Sequence, residues 1–225
     1  GNISIYNNRF IGVNVNPYNG FQHQDGIQTR GPRVRIYNNY FENIWNYPVY
    51  GDIRNAQEPE SFQVFNNIFY NNPSANIAIG CGGVASNIDD IVVFNNTIIN
   101  AGIGVSVGKG EEGCTTTNAY VVNNLFYNVH TTVHNHPSVT TSNNTDGTST
   151  NITFVNPVSD FHLQAGSTAA INQGISPSYI TSVTIRDRDG KVRPLGSAWT
   201  IGAFEFNSTT GVLTPPPPNR LIITN

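Results

Sequence analysis

The chain has 225 residues, of which 38% are hydrophobic, enough to form the core of one sizeable domain or two small ones. Eleven basic residues against fourteen acidic ones give a net charge of −3, so the sequence lacks a basic patch for a nucleic-acid backbone. No apolar run approaches the roughly 20 residues that a membrane helix needs, and we therefore expect neither a nucleic-acid partner nor a membrane span.

The composition favours strands and turns over helices. Charged residues make up only 11% of the chain, whereas Asn, Thr, Ser and Gly are abundant. Helices prefer Glu, Lys, Ala and Leu, while β-branched residues favour strands and Asn and Gly favour turns. We therefore expect an all-β protein.

An apolar-x-apolar-x-Asn-Asn motif returns five times between residues 3 and 124, as ISIYNN, VRIYNN, FQVFNN, IVVFNN and AYVVNN. The first asparagines of the pairs are 31, 28, 29 and 28 residues apart; they are Asn7, Asn38, Asn66, Asn95 and Asn123. The alternation of apolar and polar residues before each pair is the period of a strand with one buried face. Each repeat therefore begins with a strand.

A second alternating segment follows in each repeat, at 25–30, 49–54, 76–80, 102–108 and 131–135. Two or three short strands in about 29 residues, without a helical pattern, exclude leucine-rich and helical solenoids and leave a parallel β-helix. Each repeat is then one coil, and equivalent residues of successive coils stack about 4.8 Å apart.

This stacking predicts three columns of side chains. The first asparagine of each pair adopts the left-handed conformation of a tight corner, and its amide bonds to the asparagines above and below, which forms a structural ladder. The inward residues form an aliphatic stack of Ile36, Val64, Val93 and Val121. The residues before the pairs form an aromatic stack on the opposite face, made of Tyr6, Tyr37, Phe65 and Phe94.

The coils, with FVNPVSDFHLQAGSTAAINQG at 154–174, RDRDGKVRPLG at 186–196 and IGAFEF at 201–206, resemble the pectate-lyase-like right-handed parallel β-helix superfamily. The resemblance implies about five or six right-handed coils in residues 1–156, closed by an irregular capping segment at 157–206, and secretion or display at the cell surface. The superfamily includes polysaccharide lyases, glycoside hydrolases, epimerases, tailspikes and adhesins, so it is specific for fold rather than function. The proline run in residues 207–225 indicates a linker or tail.

Charged residues of the first two coils are candidate catalytic residues of a lyase: Asp25, Arg30, Asp52 and Arg54. A lyase for acidic polysaccharide requires a group, often Ca²⁺, to neutralise a uronate carboxylate and a base, often Arg or Lys, to remove a proton. We place four candidate substrate-binding residues beside them: His23, Gln28, Glu58 and Lys109. The several convergent carboxylates typical of a calcium site are missing, and Asp–Arg pairs across strands are also common packing devices.

Other polar groups suggest other chemistries. A glycoside hydrolase requires two carboxylates at a controlled separation, for which the candidates are Glu58 with Glu60, Asp89 with Asp90, and Glu111 with Glu112. A metal site is suggested by His130, His134 and His136, although the outer two would lie about 20 Å apart on an extended strand. Asp187 and Asp189 suggest a calcium loop, but an ion pair of Arg193 with Asp189 or Glu205 is the simpler expectation.

The two cysteines, Cys81 and Cys114, are compatible with one disulfide or with two buried thiols. They fall in corresponding loops of neighbouring coils, and the secreted context favours the disulfide. Five asparagines begin Asn-x-Ser/Thr sequons and are candidate glycosylation sites: Asn2, Asn95, Asn143, Asn151 and Asn207. The sequons agree with a surface location outside the cell.

We expect the outer strand face to engage an extracellular polysaccharide, with or without cleavage, because flat stacked strands form a long groove for an extended sugar chain. The alternative is a non-catalytic structural or adhesive module that stacks end to end into a fibre. The sequence begins inside a coil without a capping element, so we expect upstream coils or another chain to cover that end.

Overall fold

A computed structural model describes residues 3–12, 24–30, 33–53, 61–81, 86–108, 114–135, 137–176 and 186–207. The strands are β1 (Ile3–Tyr6), β2 (Arg9–Ile11), β3 (Ile27–Thr29), β4 (Val34–Tyr37), β5 (Tyr40–Glu42), β6 (Val49–Asp52), β7 (Phe62–Phe65), β8 (Ile68–Tyr70), β9 (Ala75–Gly80), β10 (Ser86–Phe94), β11 (Thr97–Val107), β12 (Cys114–Val122), β13 (Leu125–Asn135), β14 (Thr140–Ser142), β15 (Phe154–Asn156) and β16 (Asp160–Leu163). Within these ranges the structure contains no helical segment that could span a bilayer.

The strands stack as successive coils. One parallel sheet has the order β1-β4-β7-β10-β12-β14, and the other has the order β2-β5-β8-β11-β9-β6-β3, with β13 added on β11. Among the strands of the described residues, β15 and β16 alone pair in antiparallel fashion. The predicted all-β parallel β-helix is therefore confirmed, with about four turns in place of five or six.

The predicted aliphatic stack fills the interior of the coils. Ile36 pairs with Val64, Val64 with Val93, and Val93 with Val121, and all four side chains are fully buried. A second interior stack joins Phe10, Phe41 and Phe69, with ring centroids 4.8 Å apart. Burial of each such side chain stabilises the fold by about 1.5–3 kcal/mol, so every coil adds to the stability that the core provides.

The predicted aromatic stack is also present, on the outer face of the first sheet. Ring centroids lie 4.9 Å apart between Tyr6 and Tyr37, 4.8 Å between Tyr37 and Phe65, and 4.9 Å between Phe65 and Phe94. The stack changes from half-exposed at Tyr6 to buried at Phe94. The outer face of the first sheet is therefore increasingly covered along the coils.

The asparagine ladder is confirmed, but its hydrogen bonds run mainly through the second asparagine of each pair, not the first. The inner ladder consists of Asn8, Asn39, Asn67, Asn96, Asn124 and Asn144, and each Nδ2 donates to the next Oδ1 at 3.0–3.1 Å. Nδ2 of Asn67 also donates to the main-chain oxygen of Ile36 at 2.8 Å. The second asparagine turns inward, where buried main-chain groups need partners, and this orientation explains the correction.

The first asparagine of each pair adopts the predicted left-handed conformation. These residues, which we call the outer column, are Asn7, Asn38, Asn66, Asn95, Asn123 and Asn143, with φ between 49° and 58°. One side-chain hydrogen bond joins neighbours of the outer column, from Asn123 Nδ2 to Asn95 Oδ1 at 3.3 Å. Asparagine tolerates this backbone conformation better than most residues, so the outer column sets the corner of each coil.

The closing segment, residues 157–206, packs against the side of the coils in its described parts. Phe161, Leu163, Ile201 and Phe204 form one apolar cluster with outer residues of β8, β11 and β13. The outer column holds the main chain of the segment, through Nδ2 hydrogen bonds from Asn66 to Arg186, from Asn95 to Thr200 and Gly202, from Asn123 to Ile175, and from Asn143 to Gln173. The segment is therefore bound along the side of several coils.

A buried ion pair also holds the closing segment against the coils. The Arg193 guanidinium donates through Nη1 to Oε1 of Glu205 at 2.6 Å, and both side chains are essentially inaccessible to solvent. Its Nη2 also donates to Oδ1 of Asn66 at 3.1 Å. Glu205, rather than Asp189, is thus the partner of Arg193, and the pair joins the closing segment to the outer column.

Candidate functional site

A polar surface lies on the outer side of β3, β6, β9, β11 and β13. The register aligns Gln28 with Tyr50, Tyr50 with Ala78, Ala78 with Ser106, and Ser106 with His134. The residues before them in each strand, from Ile27 to Val105, point into the core, so this row points outward. We call it the polar face; Arg30 and Asp52 lie in the adjacent outward row.

Arg30 and Asp52 form an ion pair on the polar face. Arg30 Nε donates to Asp52 Oδ2 at 2.9 Å. The Arg30 side chain is 60% exposed, whereas that of Asp52 is 0% exposed. A buried carboxylate therefore anchors a guanidinium whose far end reaches solvent, which leaves donors directed outward.

Asp25 does not join this pair. Its Oδ1 accepts hydrogen bonds from Asn46 Nδ2 at 3.0 Å and from the main-chain N–H of Tyr47 at 3.2 Å. Because Ile27 pairs with Val49, Asp25 lies beside Tyr47, five residues before Arg30 in the sequence. These two hydrogen bonds hold Asp25 at a corner of the coil, and its convergence with the other candidate catalytic residues stays a prediction.

Four further candidates, His23, Arg54, Glu58 and Lys109, lie outside the described residues, as do Glu60, Glu111, Glu112 and His136. Asp89 accepts hydrogen bonds from Thr117 Oγ1 and Asn118 Nδ2 on the neighbouring strand. His130 and His134 are exposed. Within the described part of the chain, no three His, Cys, Asp or Glu side chains are grouped as a metal site would require.

Sequence reasoning missed a charged cluster in the closing segment. His162 contacts Asp160 Oδ1 through Nδ1 at 2.5 Å and Asp189 Oδ2 through Nε2 at 2.9 Å, and its ring stacks on Phe204. Lys191 Nζ lies 3.2 Å from Asp189 Oδ2. The residues come from two segments 27 positions apart, so no local motif announces them.

Both ring nitrogens of His162 face carboxylates, which favours the doubly protonated imidazolium. Burial lowers the pKa of His162, but the hydrogen bonds and charges of Asp189 and Asp160 outweigh it, and the net pKa is raised. Burial raises the pKa of Asp189, but His162 and Lys191 outweigh that effect and the net pKa is lowered. The cluster is therefore an ion network that fastens β16 to residues 189–191.

Cys81 and Cys114 form a disulfide, with Cα atoms 5.9 Å apart and both residues buried. Among the sequons, Asn95 is wrong as a glycosylation site of the folded protein, because it is fully buried and its amide donates to Thr200 and Gly202. Asn143 and Asn151 are exposed, although the Asn143 amide donates to Gln173. Asn207 is partly buried, and Asn2 lies outside the described residues.

Comparison of the chain with family models found no match, and comparisons with curated proteins and with solved structures found no significant match. The fold is thus described as a parallel β-solenoid on its own geometry. Membership of the pectate-lyase-like superfamily stays a prediction from the sequence.

Proposed function

We propose that the polar face binds an extended acidic polysaccharide outside the cell and does not cleave it. The observation that carries the proposal is the Arg30–Asp52 pair, with an exposed guanidinium held by a buried carboxylate. The disulfide between Cys81 and Cys114 supports an oxidising compartment.

Arg30 supplies the ionic contact. Nε is engaged by Asp52, so the orientation of the guanidinium is set before a ligand arrives. The planar group carries further N–H donors, which match the two oxygens of a uronate carboxylate. Among the described residues Asp52 is its sole ion-pair partner, so a second carboxylate meets no competitor there.

The neighbouring row supplies contacts to sugar rings and hydroxyl groups. Tyr50 is partly exposed and stacks with Tyr47 at 5.2 Å between ring centroids, while Gln28 is exposed beside it. The next two positions of the row are Ala78, which is buried, and Ser106, which is partly exposed. Equivalent positions of successive coils thus form a continuous row, which suits an extended sugar chain lying across the coils.

Binding without cleavage is inferred from the contacts of the carboxylates. Glycosidases hold two carboxyl groups about 5–5.5 Å or 6.5–9.5 Å apart, on either side of the scissile bond. Asp25 instead accepts from Asn46 and Tyr47, and Asp52 accepts from Arg30. Arg30, the candidate base of a lyase, is committed to Asp52. The described residues of the polar face therefore favour recognition over chemistry.

Affinity electrophoresis and calorimetry with polygalacturonate, alginate, hyaluronan and uncharged dextran test the proposal. We expect one or more of the acidic polymers to bind, with binding weakened at high salt, and Arg30→Gln and Tyr50→Ala to reduce affinity. Arg186→Gln, a matched loss of an exposed charge in the closing segment, leaves affinity unchanged. Equal loss in Arg186→Gln, or no binding to any acidic polymer, would refute it. Release of unsaturated or reducing ends would instead establish an enzyme.

The alternative of end-to-end stacking stays a prediction. Ile3, Tyr6 and Ile11 are exposed on β1 and β2, each of which has one neighbouring strand in the described chain. The inner ladder and the aromatic stack both run up to this edge. Electron microscopy that shows filaments lengthening with protein concentration would favour the fibre, and monodisperse particles would exclude it.

A further inference from the structure

The outer column recognises polypeptide main chain. Asn123 makes the fullest contact, because its Nδ2 donates to the main-chain oxygen of Ile175 at 2.8 Å and its Oδ1 accepts from the N–H of the same residue at 3.0 Å. Asn143, on the next rung, donates to the main-chain oxygen of Gln173 at 2.9 Å. Every second residue of the segment thus hydrogen-bonds through its main chain to the next asparagine of the column. These contacts do not involve the side chains of the segment.

The same column continues to Asn7 and Asn38, where no described residue of the closing segment hydrogen-bonds to either amide. Their φ angles, 58° and 56°, match those of Asn66, Asn95 and Asn123, so the side chains leave the corner in an equivalent way. Asn7 is exposed and Asn38 is partly exposed. In the described chain, Oδ1 of Asn38 is shielded from solvent and has no donor.

The surroundings of these two rungs are apolar and positively charged. Tyr6, 49% exposed, and Tyr37 stack beside the asparagines. Arg35 projects from the same outer face of β4 as Tyr37, and Arg33 precedes the strand in an exposed position. Neither arginine has an ion-pair partner among the described residues, so this surface complements an acidic ligand.

We propose that the Asn7–Asn38 stretch of the outer column is a docking site for an extended acidic peptide segment of another protein. The segment continues the established interface of the closing segment by one or two rungs, with its main chain on the asparagine amides, its apolar side chains on Tyr6 and Tyr37, and its carboxylates near Arg33 and Arg35. The main-chain contacts fix the position of the peptide along the column whatever its sequence, and the two arginines make acidic peptides bind more tightly than neutral ones.

Titration of the ¹⁵N-labelled full chain with synthetic peptides tests this site. One peptide copies residues 171–176, INQGIS, which dock on Asn123 and Asn143, and a second carries an added glutamate at each end. We expect saturable shifts of the side-chain amides of Asn7 and Asn38, stronger binding of the glutamate peptide, and weakening by salt. Asn38→Gly keeps the backbone angle but removes the amide, and reduces affinity about fivefold, the effect of one lost hydrogen bond.

Asn151→Gly is the matched control, because Asn151 is also exposed and left-handed but lies outside the column. Thermal unfolding verifies that Asn38→Gly is folded, and Asn7→Gly repeats the test at the more exposed rung. Absence of saturable shifts, or binding unchanged in both column variants, overturns the proposal. Shifts that follow protein concentration alone assign the surface to a second copy of the chain, and shifts with polygalacturonate assign it to sugar; either result also overturns it.

Discussion

The inner ladder and the outer column are adjacent in sequence and identical in residue type, yet they stabilise different parts of the molecule. Asn67, Asn96 and Asn124 are enclosed in the coils and bond to one another and to strand carbonyls. Asn66 and Asn95 bond to the closing segment instead. The direction of the side chain, inward or outward, therefore decides whether an asparagine holds coils in register or holds a second layer against them.

Removal of the Arg193 guanidinium is expected to give the largest effect. Arg193→Ala leaves Glu205 buried without its partner and frees Oδ1 of Asn66, so the free energy of unfolding falls by about 3–5 kcal/mol in a denaturant titration. Arg186→Ala is the control, because that side chain is exposed. If the free energy of unfolding falls equally in both variants, the buried ion pair has no special role in holding the closing segment on the outer column.

An inner-ladder substitution is expected to come next. Asn96→Ala removes the acceptor of the Asn67 N–H at 3.0 Å and the donor to the Val64 oxygen at 2.9 Å, both in the interior. Unpaired buried groups cost about 1–3 kcal/mol each, and we expect a total loss of about 2–4 kcal/mol by chemical denaturation. Asn87→Ala, on an exposed stretch of β10, serves as control, and a similar loss there would contradict a special role for the ladder.

A matched pair within the outer column is expected to give a smaller difference. Asn95→Gly keeps the left-handed backbone but removes two hydrogen bonds to the closing segment, for a loss of about 1–2 kcal/mol. Asn7→Gly removes no such bond and leaves the thermal midpoint nearly unchanged. Equal shifts of the midpoint in the two variants would show that the column acts through the backbone alone.

The smallest expected effect is a dependence on pH within the closing segment. The folded pKa of His162 is raised, so its contribution to stability is complete below its ordinary value of 6.5 and is lost as pH rises through the folded pKa. The thermal midpoint of the protein should therefore fall as the pH is raised above 6.5, and it should fall less in His162→Gln. His130→Gln, at an exposed site, should retain the full dependence; a pH profile unaltered in His162→Gln would exclude the ion network as its source.

The repeat was sufficient to predict the coils and their stacks, because a residue's level and face follow from its position within each repeat. It did not separate the roles of the two asparagines, since both have the same donors and acceptors. The position of Asp25 relative to Asp52 could not be derived from the repeat for a related reason. Ile27 pairs with Val49, 22 residues later, whereas Val49 pairs with Ile77, 28 residues later, and only three-dimensional pairing reveals that irregular step.

The sequence by itself thus determined the solenoid, the apolar stacks and the left-handed corners, which depend on local alternation and on a period that repeats. Tertiary structure decided what lies against the outside of the coils. The contacts of Arg193 with Asn66 and of His162 with Asp189 join distant segments whose own patterns carry no information about each other. The same lateral packing decides which asparagines of the outer column bond to the closing segment. The direction of the side chains and the route of the closing segment are set only when the two layers pack together.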